Sequence, residues 1–202
     1  MLRWAGTGEP TVLATLDVHP AGLLVRENNI IFSALGTAFT QGPAFTATNQ
    51  MLVLNRLGKP IRTTPLPDVK FLNAVVELVP DAVLIADSIA GCIWQFTQST
   101  GDVAVWLADP SMTTDPAQTL PLPGVNGLKL QGDWLYMSNS SRGELRRVRV
   151  ANGKPTGAVE LAAQLGPLDD FAFLADETIA AAKNGQRVIH IDRDGKISNM
   201  LA

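Results

Sequence analysis

His19, Asn73, Asn126 and Asp169 stand at intervals of 54, 53 and 43 residues, each at or beside the head of a short apolar run. Two amide oxygens and a carboxylate converging from such positions would suit a hard divalent cation such as Ca²⁺, Mg²⁺ or Mn²⁺, which seeks oxygen ligands. His19 could move a proton in the same place. A second set, Ser33, Asp87, Asn139 and Lys183, closes the apolar runs that follow and would form an outer ring; of these, Asp87, Asn139 and Lys183 are candidate substrate contacts. The same Asn and Asp residues also have a plain structural use, because short polar side chains at strand ends cap turns by bonding to nearby backbone.

These residues recur because the chain repeats. Four units open with His19-Pro-Ala-Gly-Leu-Leu-Val, Asn73-Ala-Val-Val-Glu-Leu-Val, Asn126-Gly-Leu-Lys-Leu and Asp169-Asp-Phe-Ala-Phe-Leu, each reading as a first strand. A tight polar turn follows (Glu27-Asn-Asn, Pro80-Asp81, Gly132-Asp133, Ala175-Asp-Glu). A second strand comes next: Ile30 to Ser33, Val83 to Asp87, Trp134 to Met137, Thr178 to Ala181. Leu57-Gly-Lys, Ser99-Thr-Gly-Asp, Ala151-Asn-Gly-Lys and Arg193-Asp-Gly-Lys are hairpin turns joining a third strand to a fourth. Four antiparallel strands repeating at this period make an all-β chain of β-propeller blades. A β-sandwich, the competing all-β arrangement, does not call for four similar quartets.

The expected layout is a single domain over 1–202, with outer strands of a first blade at 1–16 (Leu2 to Thr7 and Pro10 to Leu16) and successive blades at 17–66, 67–118, 119–165 and 166–202. In such a blade the first strand lines the central channel. The start of strand one and the end of strand two share a face, and both long connections, Gly36 to Gln50 and Ala108 to Val125, open on it. Loops over a rigid scaffold are where sites are usually built. The Pro-rich stretch Pro110 to Pro123 is either a lid over the channel or a surface crossing.

Composition narrows the partners. A net charge of −3 and one short basic cluster, Arg146, Arg147 and Arg149, give no stripe for a phosphate backbone, so the reading is no nucleic acid. No run of about 18 apolar residues occurs and the N-terminus lacks a signal-peptide pattern, which predicts no membrane partner and a cytoplasmic protein, with Asn139-Ser140-Ser141 a chance glycosylation match. Cys92, the single cysteine, allows no internal disulfide and no Cys-based zinc site, and is expected to act as a small core hydrophobe. No serine elbow, P-loop or dinucleotide fingerprint is present. His190 falls on an outer strand, and Trp134 and Tyr136 alternate with Leu135 and Met137, so the aromatics read as packing residues.

Phe71-Leu-Asn-Ala, Val83-Leu-Ile-Ala-Asp-Ser, Gly91-Cys-Ile-Trp, Ala108-Asp-Pro-Ser-Met, Leu120-Pro-Leu-Pro-Gly-Val-Asn-Gly-Leu-Lys-Leu and Leu168-Asp-Asp-Phe-Ala together resemble the regucalcin/gluconolactonase-like propellers, in particular their fungal branch, over most of residues 12 to 200. The resemblance implies a six-bladed fold with one divalent metal in the channel and metal-assisted hydrolysis of a lactone or ester. It implies that Asn126 and Asp169 are metal ligands, with Asp170 the alternative if the alignment slips by one, and that Asn73 lies on the substrate side. The family's further ligand, a Glu of the first blade, has no counterpart here, so any cation is expected to be weakly held. The fungal branch also includes cyclases of the hetero-Diels–Alder type, so a metal-independent cyclase or isomerase and an inactive binding propeller stand beside the hydrolase.

About four and a half blades are expected, as a truncated product, a fragment or a shortened relative. Two open blade edges would then invite pairing with another chain. Light scattering over a wide concentration range should show self-association; a monomer throughout would contradict it.

Overall fold

The apolar run Ala82-Val83-Leu84-Ile85-Ala86 contains no polar alternation, and a strand of that kind must be covered on both faces. Every residue of it is buried. Alternate side chains leave a strand on opposite sides. Val83 and Ile85 accordingly pack with Ile31, Met51 and Val53 on one side, while Leu84 and Ala86 pack with Leu128, Leu135 and Met137 on the other. Sheets stacked face to face around an axis satisfy this pattern.

The computed structural model describes residues 1–35, 49–118, 122–175, 179–183, 187–192, 194 and 196–201. Four antiparallel sheets of four strands follow in chain order. Blade I holds β3 (His19–Val25), β4 (Asn29–Leu35), β5 (Gln50–Asn55) and β6 (Pro60–Pro65); blade II holds β7 (Leu72–Val79), β8 (Ala82–Asp87), β9 (Cys92–Thr97) and β10 (Val103–Ala108). Blade III holds β11 (Val125–Gln131), β12 (Trp134–Asn139), β13 (Glu144–Ala151) and β14 (Lys154–Gln164); blade IV holds β15 (Leu168–Phe173), β16 (Ile179–Lys183), β17 (Arg187–Ile191) and β18 (Ile197–Leu201). The remaining pair, β1 (Leu2–Arg3) with β2 (Thr11–Val12), is shorter than the outer strands expected at the N-terminus, since Gly6, Gly8 and Pro10 interrupt the extended run. The protein is an all-β propeller assembly.

A core lies in each seam between consecutive blades. The seam of III and IV holds Leu145, Leu168, Phe171, Ala181, Ile189 and Ile191, with Tyr136 set edge-on against Phe173 at 5.0 Å. Trp134, two residues before Tyr136 and on the same face of β12, lies under Arg147 and Arg149 at 4.2 and 4.8 Å. Cys92 is buried, and burial first, with the nearby Asp87 charge second, pushes its thiol up to about 12, so it stays protonated near neutrality.

Near the channel the seams are stitched by buried serines that follow, or sit within, the second strands. Ser88 Oγ donates to Val125 O (2.6 Å) and accepts from Asn73 Nδ2 (3.3 Å), while its carbonyl accepts from Gly124 N (2.9 Å). One blade on, Ser140 Oγ donates to Leu168 O (2.6 Å) and accepts from Asn126 Nδ2 (2.9 Å). Ser138 Oγ accepts from Gly127 N (2.7 Å) and donates to Asp169 O (2.7 Å). Each hydroxyl thus joins an inner strand to the next one. Removing one takes a hydrogen-bond partner from an inner-strand carbonyl and from a donor of the neighbouring bulge, at about 1–3 kcal/mol. Ser140→Ala should lower stability by that amount in urea denaturation; a change within about 0.5 kcal/mol, the range of an ordinary surface substitution, would contradict the stitching.

Candidate functional site

The four inner strands share one irregularity. Between Leu72 and Val75, between Val125 and Leu128 and between Leu168 and Phe171 two residues face one on the second strand, and the same slip occurs between Pro20 and Leu23. Such a bulge bends the strand and re-aims side chains that strict alternation would send to opposite faces. The bulged pairs are Ala21-Gly22, Asn73-Ala74, Asn126-Gly127 and Asp169-Asp170, and all eight residues line one cleft of about 350 Å³ together with Lys129. Three sequence candidates, Asn73, Asn126 and Asp169, therefore come together at equivalent positions of three successive blades.

The geometry inside the cleft is specific. Asn126 Nδ2 donates to Asp169 Oδ1 (2.8 Å) as well as to Ser140, so both amide protons are committed and the amide oxygen is what the group has left for a ligand. Asp170 takes a different partner. Its Oδ1 and Oδ2 accept from Lys129 Nζ at 2.8 and 3.0 Å, and Oδ1 also accepts from Phe171 N (2.8 Å). The ammonium lies 5.4 Å from the Phe171 ring centre. Gly127 makes this arrangement possible, because a Cβ there would overlap both Asp170 Oδ1 and Ser138 Oγ. Asp169 is thus the partner of Asn126, and Asp170, the alternative to it, is the partner of Lys129.

His19 is placed elsewhere. The bulge register makes Ala21 the blade I counterpart of Asn126, and Gly22 packs so closely on the Asn73–Val75 backbone that a Cβ would overlap it. His19 is exposed at the strand start opposite Leu35, outside the cleft lining. Asp87 and Asn139 are also corrected as substrate contacts. Asp87 is fully buried and accepts from Lys70 N (2.8 Å), Phe71 N (3.0 Å), Ala90 N (3.0 Å) and Trp94 Nε1 (3.3 Å). Asn139, at the same register position, accepts from Arg142 N (3.1 Å) and donates to Ser111 O and Thr113 O (both 3.0 Å). Both residues spend their polar atoms on the turn after the second strand and on the loop arriving from outside.

Lys183 ends β16 opposite Leu168, and Ser33 lies on β4 opposite Met51; their side chains lie outside the described residues, as do residues 36–48 of the first long connection. Of the second, residues 109–118 are pinned down rather than hung over the cleft. Asp109 caps a 3-10 turn at Pro110–Met112, Met112 is buried, and Asp115 N donates to Ser141 Oγ (2.7 Å). Lys129 and the serines are the site residues the sequence reading passed over. Strict alternation sends Lys129, three residues after Asn126, to the opposite face of the strand, and only the bulge brings both to the cleft, so the sequence carried no signal for the lysine.

No family model matches the chain, and no curated protein matches it. Among solved structures it resembles a catalytically inactive virginiamycin B lyase from Staphylococcus aureus with quinupristin (TM-score 0.60, 14% identity, 91% of this chain and 55% of that one). A streptogramin B lyase structure is similar (TM-score 0.59, 14% identity, 93% and 56%), as is a chain of a nidogen/laminin complex (TM-score 0.68, 13% identity, 96% and 67%). The chain spans a little over half the length of the lyases. At these identities the likeness establishes the propeller fold, which in these neighbours carries an enzyme in one case and a protein complex in another. Among the described residues no helix is long and apolar enough to cross a membrane.

Asp87→Asn turns acceptor oxygen into a donor facing N–H groups and should cost about 1–3 kcal/mol. Its effect should appear in the denaturation midpoint, with ligand binding by the folded variant unchanged. Loss of binding at unchanged stability would restore Asp87 to the site.

Proposed function

We propose that the channel cleft is the site of a small-molecule enzyme of the gluconolactonase-like type, acting on a lactone or ester, with Asn126 and Asp169 holding a divalent cation. The observation that carries this reading is the 2.8 Å contact between Asn126 and Asp169, from aligned bulges of successive blades, with Asn73 in the equivalent bulge of the blade before. The resemblance to regucalcin/gluconolactonase-like propellers supports it, and the lyases show that this fold can carry an enzyme.

The donor set is all oxygen, which fits Ca²⁺, Mg²⁺ or Mn²⁺ rather than a thiolate-seeking metal. One carboxylate faces Asn126 and the other is neutralised by Lys129, and among the described residues no three His, Cys, Asp or Glu side chains gather. A cation held by so little charge binds weakly. When bound, it would polarise a carbonyl and lower the pKa of a bound water. The chain's own residues do the rest: Asn126 fixes the Asp169 carboxylate by hydrogen bonding, Asn73 orients the substrate, and Asp169 accepts a proton from the group that attacks.

The Lys129 ammonium in the cleft wall favours a second reading, a metal-independent cyclase or isomerase. There the same polar ring would hydrogen-bond charge that develops on the substrate. Calorimetric titration with Ca²⁺ and Mn²⁺ should give dissociation constants on the order of 10⁻⁴ M, and Asp169→Asn should remove both that binding and the turnover of lactones or aryl esters. Turnover that survives excess EDTA unchanged would contradict the metal-assisted reading and leave the second in its place.

A further inference from the structure

We infer that Lys129 is the group in the channel cleft that receives an anionic oxygen of the ligand, and that Asp170 is the placeholder it is held by until the ligand arrives; the ligand therefore carries a carboxylate. The inference rests on the reading of the cleft as a small-molecule site.

Lys129 is the one cationic side chain among the residues that line the cleft, and it shares that lining with Asn73, Asn126 and Asp169. Its ammonium is held by both oxygens of Asp170, yet the pair is open to water, with 31% of the lysine side chain and 52% of the aspartate side chain exposed. Exposed pairs of this kind are weak and exchange readily, so a ligand carboxylate can replace Asp170 or share the ammonium with it. An ammonium has three donors, which allows the sharing. Asp170 keeps its bond to Phe171 N when the lysine turns away, so it is not left without a partner. The Phe171 ring face beside the ammonium steadies it on the cleft side of the strand.

Gly127 is the second, independent observation. Any side chain at that position would expel the Asp170 carboxylate from the place where it meets Lys129. The charged pair is thus built into the bulge geometry of two adjacent blades rather than laid across a surface by chance. Beside it in the cleft lining, the Asn126 amide oxygen and the Asp169 carboxylate are acceptors that hydroxyl groups of the ligand can meet.

A matched pair of probes tests this: gluconate and sorbitol, which carry the same run of hydroxyls and differ by the carboxylate. Binding to the purified chain is followed by calorimetry, with circular dichroism confirming the fold of each variant. Wild type should bind gluconate more tightly than sorbitol. Lys129→Met should weaken gluconate about tenfold, the loss of one charge-assisted hydrogen bond, and leave sorbitol unchanged. Lys129→Arg should retain most gluconate affinity, and Asp170→Asn, which releases the ammonium, should raise it. Gluconate affinity that is the same in Lys129→Met and wild type, or that falls in Asp170→Asn, would overturn the assignment of Lys129 while leaving the cleft as a binding site. Failure of wild type to bind either probe would overturn the small-molecule reading of the cleft, and the inference with it.

Discussion

The constraint on which the site depends is the extra residue in each inner strand. A regular strand next to the channel would send Asn126 to one side and its neighbour to the other, and likewise Asp169 and Asp170. With two residues opposed to one on the second strand, both members of each pair reach the cleft. Because the slip falls at the same register in all four blades, the pairs stack around the axis instead of scattering along it. The bulge leaves backbone groups without ladder partners, and the structure supplies some of them through side chains: Gly127 N donates to Ser138 Oγ and Phe171 N to Asp170 Oδ1.

The serines convert this local distortion into blade-to-blade order. Ser88 and Ser140 occupy the same place after the second strand, each accepting from the bulge amide of its own blade and donating to a carbonyl of the next inner strand. Buried polar groups are stable only when paired, so the hydroxyls, the Asn side chains and the inner-strand carbonyls fix one another. The apolar seams provide most of the adhesion, and the hydrogen bonds set how one blade is registered on the next. Asn126 is consequently held on two sides, by Ser140 below and Asp169 across the seam, which is what a residue presenting an oxygen to a ligand requires.

The fold was largely legible because its signals are local. Among the described residues, glycine turns, hairpin spacing and apolar second strands fall where the sheets show them, and Asn73, Asn126 and Asp169 each fall in a bulge of an inner strand. The misplaced residues have a common physical origin. Whether a polar side chain at a strand end faces the channel or the turn depends on the bulge, and strict alternation does not reveal a bulge. Asp87 and Asn139 were read as facing ligand when they clamp turns, and His19 was aligned two residues away from the true channel position, Ala21. The glycine shared by Ala21-Gly22-Leu23 and Asn126-Gly127-Leu128 would have corrected the first blade. The partner of Lys129 could not be read from one strand, since Asp170 reaches it from the next blade.

Under the proposed function, ligand chemistry sits at the bulges of the inner strands and not at the ends of the second strands. Paramagnetic broadening by Mn²⁺ of the asparagine side-chain amide signals in a ¹⁵N-labelled sample separates the two directly. The Asn126 and Asn73 amides and the Gly127 N–H should broaden at the lowest Mn²⁺ concentrations while the Asn139 amide stays sharp. Broadening of Asn139 first, with Asn126 and Gly127 unaffected, would contradict it.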